Sequence, residues 1–497
     1  MNRLRSQNPF VLGLLTVSVL GLLSWLQPAH APTVAGVPLR PVRLLADVLR
    51  PPVQPVGRTH GLALPPPNGT PAPPRPPAAD TLPGRRAVLA AAVPSPAAAA
   101  APTAPAVANV PGLSHFVAAL RQAQARGGKV RVAYFGDSMI EGDLLTGDLR
   151  NLLQADFGGA GVGFVPINSL TADFRETIRQ TFSADWYEYN LMSDHLPATC
   201  PLGVSGHAFL PRVVSNADST GIVADTSWVA FRPGQRFGPT RRFAQARLFY
   251  GPGSRRDQVL VTTDGHRETR PLNGAEALNE LALPFPRGGR ALRLAFATHG
   301  PRPVYGVSFE GAQGITLDNF SFRSNSGVLL QRLPAAQLAA FGRALRYQLI
   351  ILHYGVNVPR DRTYASYEQA MARVVGQMKQ AFPEASILLV GMSDKSTRLD
   401  GEFVTDPQVP LLLAAQQRVA LRTHVAFWNL FAAMGGENTM TRWVEQAPPL
   451  AHNDYTHVNA LGGRRMAELL HAYLLSEYQR AGKTGATEPA AATAAAR

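Results

Sequence analysis

A serine stands at residue 138 in the stretch "YFGDSMIEG", where the apolar run Val130, Val132, Ala133, Tyr134, Phe135 breaks off at Gly136-Asp137-Ser138. A serine hydroxyl is a weak nucleophile until a base takes its proton, and that base needs a third group to fix its tautomer. Near the other end of the chain, in "HNDYTHVNALGG", Asp454 and His457 lie three residues apart, so one turn can present both side chains. The expected arrangement has the Asp454 carboxylate accepting from one imidazole nitrogen while the other faces Ser138. His452 is the nearest competing histidine, and the plainer reading makes it an exposed loop residue.

Acyl transfer also needs donors aimed at the oxyanion of the tetrahedral intermediate. Three candidates follow apolar runs. They are the backbone N–H of Ser138, the N–H of Gly327 in "SFRSNSGVLL" and the amide of Asn357 in "HYGVNV", with Gly311 and Gly314 close to the second in sequence.

These residues need elements that bring them together. Ser114 can open a helix carrying Phe116, Val117 and Leu120 that stops at Gly127-Gly128, and after Ser138 a stripe of Leu145, Leu149, Leu152 and Leu153 runs to Gly158-Gly159. Farther on come "LIILHY" (349–354), a helical stripe of Tyr367, Met371, Val374, Met378 and Phe382, then "SILLVG" (386–391), another helix and "HVAFWNL". Apolar strands alternating with helices predict a parallel sheet covered on both faces, whose C-terminal strand ends share one edge. Residues 169–305 break this rhythm with short strand-like pieces such as "ARLFYG", "QVLVTT" and "ALRLAFAT" between turn clusters, which predicts an inserted β-sandwich. Its Trp186, Tyr187, Trp228 and Tyr250 could form a sugar-stacking platform, though aromatics in small β domains usually fill the core.

The N-terminus bears on compartment. Arg3 and Arg5 precede an uncharged, mostly apolar run from Phe10 to Leu26, the pattern of an export signal. Ala29-His30-Ala31 fits a cleavage site, but Pro32 directly after it should hinder the peptidase, which favours an uncleaved anchor. Between Pro32 and Pro111 lie 20 of the 42 prolines, so this segment reads as a spacer of roughly 50 Å if coil-like and at most about 250 Å if fully extended polyproline. The formal charge of +14 rests on scattered residues, nearly all of them Arg, with no basic run interleaved with aromatics, so nucleic acid is not an expected partner. The single Cys200 excludes an intrachain disulfide. No Gly-x-Ser-x-Gly elbow and no His-Glu-x-x-His spacing appear, so no metal or cofactor is expected.

Taken in order, Gly136-Asp137-Ser138, Gly327, Gly355-Val356-Asn357 and Asp454-Tyr455-Thr456-His457 resemble the four sequence blocks of the SGNH (GDSL-type) hydrolases. The resemblance covers roughly 113–168 and 306–480. It implies a three-layer α/β/α, flavodoxin-like fold, with Ser138 as nucleophile, His457 as general base and Asp454 orienting it. The oxyanion hole would be formed by Ser138 N–H, Gly327 N–H and the Asn357 side chain. Val358 departs from the aspartate common after that asparagine in the family. The β insertion and "FAAMGGENTMTRWV" look similar to bacterial members acting on cell-wall or other polysaccharide esters.

The expected organisation is a signal peptide or membrane anchor (1–31), a Pro/Ala-rich linker (32–112), a hydrolase domain in two parts (113–168 and 306–480) around a β-rich, carbohydrate-binding insertion (169–305), and a tail (481–497). The expected protein is an exported serine esterase, periplasmic or at the cell surface and tethered to the inner membrane. It would remove small acyl groups, O-acetyl foremost, from a carbohydrate or peptidoglycan. An O-acyltransferase of the same fold and a non-catalytic wall-polysaccharide-binding protein are the competing readings.

Overall fold

A computed structural model of the chain describes residues 33–34, 37–38, 108–213 and 227–485. The chain divides into two compact units, Met1–Ala97 and Ala98–Arg497; in the first, only the antiparallel pairing of Thr33–Val34 with Val37–Pro38 is described. The export segment and nearly all of the proline-rich spacer expected from the sequence lie outside the described residues. Among the described residues, no helix is long and apolar enough to cross a membrane.

The second unit is built on a five-stranded parallel sheet. Its strands are β1 (Lys129–Gly136), β2 (Gly314–Ser321), β3 (Leu349–His353), β4 (Ser386–Val390) and β5 (Ala426–Trp428), in the spatial order β2-β1-β3-β4-β5. This is the flavodoxin-like order, in which ligands collect outside the carboxyl ends beside β1. Register sharpens the point. Ser321 and His353 both pair with Gly136, His353 pairs with Val390, and Val390 with Trp428, so all five strands stop on one row.

Both faces of the sheet are buried. Val132 and Tyr134 of β1 join a cluster with α1 (Ser114–Arg126), α2 (Thr146–Phe157) and the C-terminal helix Ala460–Gly485. Ala133 and Phe135, pointing the other way, join α3 (Ala335–Leu345), α4 (Ala365–Ala381) and α5 (Gln408–Thr423). The continuous apolar run of β1 thus serves two layers of helices, as a parallel strand requires.

Two antiparallel sheets pack on each other beside this core. One orders Arg267–Pro271, Gln258–Thr263, Leu292–Ala297, Trp228–Pro233 and Ile178–Phe182; the other orders Asn279–Gly289, Phe243–Tyr250, Val304–Glu310, His207–Leu210 and Tyr187–Asn190. Their inner faces share one apolar cluster that includes Phe231, Phe243, Val259, Leu294 and Phe309, which makes the pair a β-sandwich. The second sheet also takes in Gly163–Pro166, paired with Val304–Glu310, so the sandwich reaches beyond the 169–305 interval at both ends. Short, glycine-flanked strands at the seams carry no pattern that would assign them to one module or the other.

Two other boundaries shift. The C-terminal helix runs to Gly485, past the expected start of the tail at 481, and 486–497 lie outside the described residues. Residues 108–112, expected to belong to the spacer, are docked. Val110 exchanges both backbone hydrogen bonds with Phe427 of β5, at 2.8 and 2.9 Å, and Asn109 Oδ1 accepts from Asn429 N.

The four aromatics do not assemble into a platform. Trp186 is buried edge-on to Phe296, and Tyr250 is buried with its hydroxyl donating to Asn273 O. Trp228 is covered by the Arg293 guanidinium, 3.9 Å from its ring centroid, and Tyr187 alone is exposed. Cys200 is buried, and burial pushes its thiol up to about 12.

Candidate active site

At the end of β1 the backbone must turn under a neighbouring strand. A Cβ on Gly136 would sit 2.9 Å from the Ile140 side chain and 3.1 Å from His353 O, which leaves no room for a larger residue. Asp137 then caps a 3₁₀ turn, Ser138–Asp143, its Oδ1 accepting from Met139 N at 3.0 Å. Ser138 is the first residue of that turn and is only half buried.

From the opposite end of the domain, a tight loop brings up His457. Ala451 and Val458 form an antiparallel bridge, His452 N donates to His457 O, and Asn459 Oδ1 accepts from Leu461 N and Gly462 N to cap the C-terminal helix. At the loop apex Tyr455 adopts a left-handed backbone (φ 54°), and its ring stacks on Phe403 at 3.6 Å between centroids. Ser396 N donates to Tyr455 O, so the hairpin Ser396–Leu399/Glu402–Thr405 holds the loop from below.

The result is a hydrogen-bonded line of three side chains. Ser138 Oγ lies 2.9 Å from His457 Nε2, and His457 Nδ1 lies 2.7 Å from Asp454 Oδ2. The carboxylate's other oxygen accepts from the backbone N–H of Thr456 and His457. Partial burial works against the Asp454 anion, but these bonds from His457 and Thr456 outweigh it and lower its pKa. An ionised Asp454 holds the proton on Nδ1, which leaves Nε2 as an acceptor for the Ser138 hydroxyl.

Asn357 stands at the end of β3, beside Ser138. Its Nδ2 donates to Asp137 Oδ2 at 3.1 Å and to Asn325 O at 3.4 Å. Asp137 is buried, and burial, offset by bonds from Met139 and Asn357, pushes its carboxyl up to about 6. Ser138, Asn357, Asp454 and His457 line one surface cavity of about 600 Å³ together with Glu141, Phe174 and Ser324. His452 lines it too, through a loop whose order rests on backbone bonds rather than its ring.

Gly327 does not join them. Its N–H is committed to Asn325 Oδ1 at 2.8 Å, it is absent from the cavity wall, and a Cβ there would meet the Tyr354 ring at 2.8 Å. The glycine answers a packing need with φ 90° instead. The wall residue from that segment is Ser324, which holds the left-handed conformation (φ 62°) uncommon for a non-glycine. Nothing in the residue type singled out Ser324, whereas a glycine in a Ser/Asn-rich turn attracts attention.

Two further features were not legible in the sequence. Asp143 is fully buried with φ 66°. It accepts from Arg150, Arg175, Thr146, Thr177 and Asn319, which ties the Ser138–Asp143 turn to α2, to β2 and to the edge of the sandwich. Burial disfavours its charge, yet the two arginines hold its pKa far below the carboxylate range. The second feature is the ion pair of Arg323 with Glu141, at 2.7 Å on the rim of the cavity.

No family model matches the chain, and no curated protein does. Solved structures do. One described as a peptidoglycan O-acetylesterase in action superposes with a TM-score of 0.58 at 22% identity, covering 74% of this chain and 96% of that one. The chain has the SGNH-hydrolase fold with an added β-sandwich. A family two carbohydrate esterase from Cellvibrio japonicus is matched at 9% identity over 61% of this chain and 98% of that one, with a TM-score of 0.24. A salicylyl-acyltransferase from a tetracycline biosynthetic pathway gives 16% identity, 60% and 97% coverage, and a TM-score of 0.25.

Proposed function

We propose that this protein is a serine esterase that removes small acyl groups, O-acetyl foremost, from an exported polysaccharide such as peptidoglycan. The observation that carries the reading is the unbroken line Ser138 Oγ, His457 Nε2, His457 Nδ1, Asp454 Oδ2, with 2.9 and 2.7 Å contacts. In this scheme Ser138 Oγ attacks the ester carbonyl as His457 Nε2 takes its proton. The C–O bond of the tetrahedral intermediate then breaks, and His457 returns the proton to the departing sugar oxygen. Water, deprotonated by the same nitrogen, releases acetate and restores Ser138.

The oxyanion would be met by the N–H of Ser138 at the start of its 3₁₀ turn and by Asn357 Nδ2, which turns one hydrogen from Asn325 O to the substrate. Ser324 N–H takes the place expected for Gly327, because Ser324 lines the cavity and Gly327 does not. Hydrolysis is favoured over transfer to a second sugar. The His457 and Asp454 side chains are 40% and 50% exposed, so water reaches the base, whereas a transferase must keep it out. A purely sugar-binding role does not require a serine, a histidine and a carboxylate aligned within hydrogen-bond reach. Export and tethering through residues 1–112, drawn from the composition there, complete the proposal and place the enzyme beside a wall polymer.

A fluorophosphonate probe tests the assignment directly. Wild type should label at Ser138, and Ser138→Ala and His457→Ala should not, with turnover of p-nitrophenyl acetate falling about 10³-fold or more in both. Equal labelling of wild type and Ser138→Ala, or none in either, would remove the assignment.

A further inference from the structure

A second cavity, of about 440 Å³, opens next to the first, between the strand ends of the α/β core and the sandwich. Glu141, Arg323 and Ser324 belong to the walls of both, so the Arg323–Glu141 ion pair stands at the boundary between them. The volume falls within the range of about 300–1,000 Å³ typical of sites for small ligands.

The wall has a definite chemical character. Its charged side chains are already matched. Glu141 pairs with Arg323, Asp143 with Arg175, and Glu188 with His207 at 2.8 Å, so an ionic ligand would find no uncompensated partner. Ser205 is different. It is 7% exposed, and its hydroxyl, on the cavity wall, has no hydrogen-bond partner in the protein. A buried hydroxyl left unpaired costs about 1–3 kcal/mol, so Ser205 has a hydrogen bond to offer to a group that enters the cavity. At the same time Leu170 and Met192, also on this wall, are 87% and 56% exposed and so present apolar surface to the cavity. A neutral ligand with hydroxyls on its edge and C–H groups on its face suits this combination, and that describes a sugar ring.

We infer that the second cavity is a saccharide subsite, holding a neutral sugar of the same glycan next to the ring whose ester faces Ser138. The inference rests on the esterase reading for the identity of the polymer. It adds a site and the residues that form it. The Arg323–Glu141 pair then lies where the linkage between the two rings would pass. Ser205 supplies hydroxyl recognition and Met192 an apolar face.

Binding can be measured without turnover. Full-length Ser138→Ala protein is titrated with chitotetraose, cellotetraose and xylotetraose, following binding by calorimetry. At least one tetrasaccharide should bind, with affinity falling about tenfold in Ser138→Ala/Ser205→Val and in Ser138→Ala/Met192→Asp. Both substituted proteins should keep the wild-type far-UV circular dichroism and a single cooperative urea transition, which shows that they fold. Because Met192 is exposed, its variant guards against a packing defect at Ser205. Absence of binding by all three sugars at millimolar concentration, or affinities untouched by both substitutions, overturns the subsite. Loss of labelling in wild type with sugar binding intact overturns the esterase reading instead and leaves the subsite standing.

Discussion

Asp137, next to Ser138, and His353, paired with Gly136 at the end of β3, are both buried, with opposite consequences. Burial pushes the Asp137 carboxyl up to about 6 and the His353 imidazole down to about 4, against ordinary values near 3.9 and 6.5. Native Asp137 keeps a proton that the unfolded chain gives up between about pH 4 and 6, so its contribution to stability is present below that window and lost as pH rises through it. His353 does the reverse, since the unfolded chain protonates it first, and its contribution is lost as pH falls from about 6.5 towards 4. Each is worth about 3 kcal/mol at ~1.4 kcal/mol per pKa unit, so the two nearly cancel across the same window. Asp137→Asn removes one side of the balance. Urea unfolding at a series of pH values should find the variant close to wild type below pH 4 and more stable by up to about 3 kcal/mol above pH 6. A stability difference that does not change with pH would refute this. Activity should move the other way, because Asn357 loses the carboxylate that orients its amide, and a fall in kcat of about tenfold to a hundredfold is expected.

At the scale of elements, the Ser138–Asp143 turn is held by Asp143 more than by local propensity. Arg150 and Arg175 are themselves buried, so Asp143→Ala would leave two guanidinium groups without their counter-ion. A loss of about 3–5 kcal/mol is expected, measured as a lowered urea midpoint at unchanged slope, and Asp143→Asn should recover part of it. A loss below 1 kcal/mol would show that the network is not what fixes the turn. This hub was not readable in the chain, because Asp143, Arg175 and Asn319 are brought together by tertiary packing and no local pattern joins them. The strands were readable for the opposite reason. "KVRVAYFG" beyond Arg131, "LIILH" and "SILLV" are largely apolar on both faces, and each is followed by a helical stripe of the right length, so composition and period agreed. The alignment of Ser138, His457 and Asp454 was legible because a hydroxyl, an imidazole and a carboxylate that need one another are a recognisable set of residue types. The cavity-wall residue from the end of β2 was not, since nothing in the residue type marks Ser324, and only geometry separates it from Gly327.

The sandwich and the α/β core form one body of packed rings. Phe341 of α3 meets Phe164, Phe249 and Tyr305 from the sandwich within 6.2 Å between centroids, and Arg131 of β1 bonds both Asp318 of β2 and Glu310 of the sandwich. Severing residues 169–305 would cut into Val304–Glu310, the strand on which Gly163–Pro166 pairs, and strip that strand of its other neighbour, Phe243–Tyr250. The whole unit is therefore expected to unfold in one transition. Tryptophan fluorescence of a Trp25→Phe, Trp428→Phe, Trp443→Phe variant, whose remaining Trp186 and Trp228 lie in the sandwich, should share its urea midpoint with far-UV circular dichroism of the whole chain. Two separated midpoints would show independent modules.

The pairing of Val110 with Phe427 has a consequence at this same scale. β5 is the outermost strand on its side of the parallel sheet, and an open strand edge is a template for recruiting other chains. Here part of that edge is occupied by the protein's own lead-in segment, with Asn109 meeting Asn429 one step farther along. In a crowded compartment, where neighbours of the same sequence stand close together, the backbone just ahead of the domain acts as a stopper against strand exchange. Trimming the chain to begin at Leu113 would leave the active site whole but uncover an edge that nature has covered.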